Sequence, residues 1–159
     1  MKKTLKPRGC TNLKLRQLTR MVTRHYDRYV SEVGLKNTQY SLLSLVVGLG
    51  PIRPVDLANR MQMDASTLTR NLQPLVAHGW VTIRDGRDAR SRLVEATEAG
   101  QLKRAEGQRA WKAAQLALNE RLGAARVAAL HELLDACIER IDEGDDDAPD
   151  TQSPKTDDG

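Results

Sequence analysis

Six residues within one short stretch, DASTLTRNLQPLVAHGW, supply three hydroxyls, a guanidinium and two amides: Ser66, Thr67, Thr69, Arg70, Asn71 and Gln73. These groups form hydrogen bonds rather than breaking covalent bonds. Hydroxyls reach phosphates or bases, arginine spans the O6 and N7 of guanine, and asparagine or glutamine spans the N6 and N7 of adenine. No acid occurs from 65 to 78, so a phosphate backbone laid along this stretch would meet no like charge. Leu68, Leu72, Leu75 and Val76 recur at helical spacing, which predicts an amphipathic helix. Asp64 is placed as its N-cap and Gly79 as its C-cap. Pro74 lies inside the helix. It cannot donate to the Arg70 carbonyl and its ring crowds that turn, a defect of about 3 kcal/mol in a straight helix. A bend is expected there, with Asp64–Gln73 free to enter a groove and Leu75–His78 packed on the domain.

The neighbouring elements present this helix. Pro54 starts a short helix over 54–61, and Gln62, Met63 and Asp64 connect it to the next; two short helices so joined have the spacing of a helix-turn-helix. The period then changes to that of strands, at WVTIR, 80–84, and RLVEA, 92–96. Between them DGRDARS forms a basic hairpin. Arg87, Arg90 and Arg92 mark its tip and Arg84 its base, charges suited to the negative potential of a narrow minor groove. Asp88 is placed to hold the Arg90 guanidinium by a charge-assisted bond. A helix-turn-helix followed by such a hairpin is a winged helix. Upstream, helices are predicted over 13–33, capped by Thr11 or Asn12 and ended by Gly34, and over 38–48. Downstream, Thr97 caps a helix over 98–121, and Gly123 separates it from another over 124–141. The last helix carries Val127, Leu130, Leu134, Ile138 and Ile141 on one stripe, more than a small lobe covers, which points to a second copy of the chain.

The fold class expected is therefore mainly α with a small β-hairpin wing: a winged helix-turn-helix lobe at about 50–97, with dimerisation helices at about 12–33 and 98–141. Residues 1–9 read as a basic arm. Residues 142–159 hold eight acids against Lys155, too little apolar content to fold, and read as a disordered acidic tail. The remaining 141 residues carry 24 basic against 13 acidic side chains, which suggests a polyanionic partner. Cys10 and Cys137 make neither a disulfide framework nor a metal set, and His25, His78 and His131 lack ligand spacing. No nucleophile motif, phosphate loop or dinucleotide glycine pattern occurs, so neither an enzyme nor a cofactor is expected. The basic start MKKTLKPRG is followed by no apolar run, and no membrane association is read; a reducing, cytoplasmic setting is the expectation. A winged-helix protein–protein module is the competing class, separated from a DNA reader by the contribution of Arg70 and Arg90.

The sequence resembles the MarR family of bacterial transcriptional regulators over roughly 12–141. DASTLTRNLQPLVAHGWV and RDGRDARSRLVEATEAG carry the likeness, with Asp88 and Arg90 followed at the expected distance by Thr97 and Gly100; GLKNTQYSLL resembles the family's entry into its second helix. The resemblance implies a homodimer whose N- and C-terminal helices interlock. Its two winged lobes would bind double-stranded, pseudo-palindromic operator DNA, as a repressor released by a small aromatic ligand such as a phenolic or heteroaromatic acid. The family's pocket lies between the dimer helices and the winged lobe, where Arg20, His25, Tyr26, Tyr40 and Trp111 would face a ligand or simply pack. One branch senses peroxides through a cysteine at the start of the first helix. Asn12 takes that place here and Cys10 lies two residues upstream. Of the three positions of the assisting tyrosines, Arg16, Tyr26 and Asn37, only Tyr26 is kept. A basic setting of Lys6, Arg8 and Lys14 keeps thiol-based oxidant sensing by Cys10 as an alternative trigger. Cys137 is expected in the core.

Overall fold

The computed structural model describes residues 8–86 and 91–145. Six α-helices and one hairpin are present among them: α1 Thr11–Val30, α2 Asn37–Leu49, α3 Pro54–Arg60, α4 Ala65–Ala77, β1 Val81–Asp85, β2 Arg92–Ala96, α5 Glu98–Leu122 and α6 Ala124–Asp145. No helix among them is long and apolar enough to cross a membrane. By compactness the chain divides into Met1–Leu118 and Asn119–Gly159, with α5 running from the first unit into the second.

In the first unit, α1 begins two residues earlier than expected. Cys10, not Thr11 or Asn12, is the N-cap, and its side chain makes no capping bond; only its carbonyl enters the helix, accepting from the Lys14 amide at 3.1 Å. The helix tightens into one 3-10 turn, Ser31–Val33, and Gly34 closes it at φ 72°, the left-handed conformation a glycine adopts without a Cβ clash. The winged lobe then builds its core from one face of each element. Leu42, Leu43 and Val46 of α2, Leu57 and Ala58 of α3, Leu68, Leu72 and Leu75 of α4, Val81 of β1 and Val94 of β2 are all buried together. The strands are antiparallel, in register from Val81 opposite Ala96 to Asp85 opposite Arg92. Ile52 adds a two-way backbone bridge to Val94, at 3.0 and 2.8 Å. That contact was invisible in the sequence because one paired residue makes no period.

The root of the hairpin is gripped on several sides. The Trp80 amide donates to the Leu75 carbonyl at 3.0 Å, and the Trp80 carbonyl accepts from the Thr97 amide at 3.0 Å. Thr97 Oγ1 donates to the Gly79 carbonyl at 2.6 Å and accepts from the Gly100 amide at 3.0 Å, so one side chain both caps α5 and ties it to the end of α4. Gly100 is buried here, and a Cβ on it would lie 1.9 Å from the Trp80 carbonyl oxygen.

In the second unit Gly123, at φ 86°, ends α5, and α6 follows. The helix extends to Asp145 rather than 141, taking in the start of the acidic segment, since lengthening a formed helix adds one hydrogen bond per residue fixed. The rest of that segment, and residues 1–7 of the basic arm, lie outside the described residues. Leu133, Ile138 and Ile141 are 65%, 58% and 67% exposed. Cys137 is exposed too, which corrects its expected place in the core: on this helix Val127 is buried and Leu130 and Leu134 are half-buried, but the part around Cys137, Ile138 and Ile141 is uncovered.

Gly100→Ala is expected to destabilise the protein by about 1–3 kcal/mol, because backbone must move to admit the methyl. Gly48→Ala, in a helix where the new Cβ meets nothing within 4 Å, is expected to stabilise by about 0.4–1 kcal/mol. Paired thermal melts check both signs, and equal shifts would contradict the close approach at Trp80.

Candidate nucleic-acid interface

Helices α3 and α4 are joined by Met61, Gln62, Met63 and Asp64. Gln62 sits at φ 52°, a left-handed position that usually goes to glycine. The turn is nonetheless closed by backbone bonds, from the Gln62 amide to Asn59 at 3.1 Å and from the Met63 amide to Ala58 at 3.0 Å. This is the helix-turn-helix, and Asp64 begins its second helix as expected. Its carboxylate accepts from the Thr67 amide at 2.7 Å, from Thr67 Oγ1 at 2.7 Å and from Ser66 Oγ. The Ser66 hydroxyl first, then the Thr67 hydroxyl and amide, hold the Asp64 carboxyl well below the usual carboxylate range.

The face beyond the cap is polar and open. Ser66, Thr69, Arg70 and Gln73 are exposed, while Thr67 and Asn71 are half-buried. Thr69 Oγ1 donates to the Ala65 carbonyl at 2.8 Å, Arg70 Nη2 to Thr67 Oγ1 at 3.4 Å, and Asn71 Nδ2 to Met63 Sδ at 3.5 Å. Asn71 is thus turned toward the helix-turn-helix turn. The opposite face buries Leu68, Leu72 and Leu75. The helix runs without a break in its assignment from Ala65 to Ala77, with Pro74 inside it. After the proline its last turn is closed by His78, whose amide and Nδ1 both meet the Pro74 carbonyl, at 3.1 and 2.6 Å. The His78 ring stacks on Trp80 at 4.3 Å, and Lys103 Nζ lies 5.6 Å from the same indole.

On the wing, Arg84 Nε donates to Glu95 at 2.8 Å across the hairpin. Both partners are largely exposed, so the pair contributes little stability, but it directs the guanidinium along the sheet. Arg87, Asp88 and Arg90 lie outside the described residues. Arg92 joins a different group. With Pro54, Thr69, Leu72, Gln73, Val76, Ala77 and Ile83 it lines a groove of about 410 Å³ beside α4. The sequence held a signal for this: strand alternation puts Arg92 on the same face as buried Val94.

The residues proposed as a ligand pocket divide. Tyr26 and Tyr40 are buried, and both rings stack with Trp111 at 6.2 Å. His25 is buried beside them, its Nε2 2.8 Å from the Ala114 carbonyl. The Tyr26 hydroxyl donates to Gln115 Oε1, and burial pushes its phenol above the ordinary value. Gly107 admits the group to α5, since a Cβ there would lie 2.6 Å from the Tyr40 ring. Arg20 stays apart, exposed on α1 with Thr19, Thr23 and Arg24 around a separate hollow. Among the described residues no three His, Cys, Asp or Glu side chains are gathered to hold a metal.

These features define a winged helix-turn-helix protein. A family model described as MarR family matches residues 33–91. Among relatives, the HTH-type transcriptional regulator YwoH of Bacillus subtilis is 28% identical over 89 residues, 56% of this chain and 65% of that one. The multiple antibiotic resistance protein MarR of Escherichia coli is 33% identical over 91 residues, 54% of this chain and 63% of that one. The chain spans just under two thirds of the length of these relatives. Of solved structures, a cysteine-to-serine mutant of E. coli MarR complexed with operator DNA has a TM-score of 0.73 and 26% identity, covering 79% of this chain and 91% of that one. The Mycobacterium tuberculosis transcriptional regulator MosR in complex with DNA has a TM-score of 0.66 and 28% identity, covering 81% and 98%. The chain is therefore similar to MarR family transcriptional regulators, with the family model covering residues 33–91 of its 159.

The Asp64 cap carries a pH signature. A carboxyl whose folded pKa is depressed stabilises fully above its unfolded value, about 4, and loses that contribution as pH falls from there toward the folded value. The melting-temperature gap between wild type and Asp64→Ala is expected to stay level above about pH 5 and to narrow below about pH 4. A gap that does not change down to about pH 2 would remove the carboxylate from the cap.

Proposed function

We propose that this protein is a homodimeric transcriptional repressor that reads a pseudo-palindromic operator, with α4 in the major groove and the wing at the minor groove. One observation carries the reading: α4 is a continuous helix anchored by three buried leucines, and its outward face is polar and without an acid. The DNA-contacting set comprises Ser66, Thr67, Thr69, Arg70, Asn71 and Gln73 on α4, and Arg84, Arg87, Asp88 and Arg90 on the wing. That the two DNA complexes cited above are of similar folds adds support. A purified promoter fragment from upstream of the protein's own gene is the probe. Binding should weaken steeply with salt, because phosphate contacts release counterions. Arg70→Ala should cost about 1–3 kcal/mol in affinity. An equal affinity for wild type and Arg70→Ala, or no binding at low ionic strength, would favour a protein–protein module instead.

The dimer reading rests on α6, whose exposed Leu133, Ile138 and Ile141 need an apolar cover. A second copy supplies it by two-fold symmetry and sets half-sites about one helical turn apart. Ile138→Glu, at an exposed position, is expected to leave the helix content intact and convert the dimer to monomer in sedimentation velocity. An unchanged sedimentation coefficient would place the dimer contact elsewhere.

The release signal is a small aromatic acid. Two places are offered for it. The Tyr26–Trp111–Tyr40 stack, with His25, has the rings but is closed on itself, so a ligand must open it. The groove beside α4 has open volume, an apolar floor and Arg92 for a carboxylate. Oxidation of Cys10 is the second reading of the trigger, favoured by its exposure at the N-cap of α1.

A further inference from the structure

Three hydroxyls stand on the first two turns of α4, and each has its single proton engaged within the helix. Ser66 Oγ donates to Asp64 Oδ1, Thr67 Oγ1 to Asp64 Oδ2 at 2.7 Å, and Thr69 Oγ1 to the Ala65 carbonyl at 2.8 Å. The direction of these bonds is fixed, because an ionised carboxylate and a peptide carbonyl have no proton to give. Thr67 is half-buried and already receives Arg70 Nη2 at 3.4 Å. Ser66 and Thr69 are exposed and show an approaching ligand only lone pairs.

That polarity selects the partner. Phosphate oxygens are acceptors, so an acceptor-only hydroxyl has nothing to offer them. In the major groove the base-edge donors are the N6 amino group of adenine and the N4 amino group of cytosine. We infer that Ser66 and Thr69 accept hydrogen bonds from exocyclic amino groups of adenine or cytosine rather than donating to the DNA backbone, with Asp64 as the positioning residue that keeps Ser66 in its accepting orientation. This rests on the DNA-reading function above and narrows it. Turning the Ser66 proton outward to a phosphate would exchange one charge-assisted bond for another and leave Asp64 Oδ1 without that donor. Arg70, held beside Thr67, remains the donor on the same face, so this part of the helix alternates acceptors with a guanidinium.

The test uses a duplex selected by the full-length protein from a random library. Each adenine in the selected site is replaced by purine lacking the 6-amino group, each cytosine by its 4-unsubstituted analogue, and each phosphate in turn by a methylphosphonate. Removal of one amino group opposite Ser66 or Thr69 is expected to weaken wild type about three- to tenfold. The same removal should have no further effect in Ser66→Ala or Thr69→Val. Asp64→Asn, which keeps an N-cap and is checked for helix by circular dichroism, should shrink the penalty at the Ser66 position. A methylphosphonate penalty that disappears in Ser66→Ala or Thr69→Val, with amino-group removal acting equally in all variants, would overturn the inference. Failure to select any duplex is a separate result, and it would remove the underlying DNA-reading function as well.

Discussion

The place of α4 in the lobe is governed by how the main chain is held at Gly79 and Trp80. Four hydrogen bonds meet there: Trp80 to Leu75, Thr97 to Trp80, Thr97 Oγ1 to Gly79, and the Gly100 amide to Thr97 Oγ1. They join the end of α4, the first strand and the start of α5 within a few ångströms. The bare α-carbon of Gly100 lets the helix come that close. With its C-terminal end fixed in this way and its N-terminal end capped by Asp64, α4 is oriented at both ends by polar contacts and along its length by Leu68, Leu72 and Leu75.

That arrangement explains how the reading face can be built of short side chains. Ser66 and Thr69 cannot search for a partner as lysine would; they work only if the backbone that carries them is already in position. Their hydroxyls are oriented in turn by Asp64 and the Ala65 carbonyl. Arg70 is the flexible group on the face, and Thr67 keeps it close. Order in the helix thus becomes direction in the hydrogen bonds it offers.

Much of this was legible in the amino-acid order because local chemistry agreed with the global fold. Asp64 before a leucine-spaced run, Gly34, Gly79 and Gly123 at helix ends, and the switch to a two-residue period around the wing each gave an element in nearly the observed place. Failures occurred where a side chain's partner is distant in sequence. Nothing near Ile52 announces its bridge to Val94, and nothing near Arg84 its pairing with Glu95. The first helix was misplaced by two residues because a thiol is a poor cap and the backbone alone begins the turn at Cys10. Pro74 removes one helical donor without ending the helix, and Leu72 and Leu75 on either side of it are buried. Cys137 was misjudged because an apolar stripe shows what wants to be covered, not whether the same chain covers it.

The aromatic content has one more consequence. The chain has two tryptophans and no phenylalanine. Trp80 lies against the His78 imidazole at the end of α4, whereas Trp111 sits between two tyrosine rings where α1, α2 and α5 meet. A phenol passes its excitation to a nearby indole. Trp111, between two tyrosine rings, is therefore tyrosine-sensitised, whereas the ring stacked on Trp80 is an imidazole, so the helical frame can be excited by light through its own tyrosines, without attaching a dye.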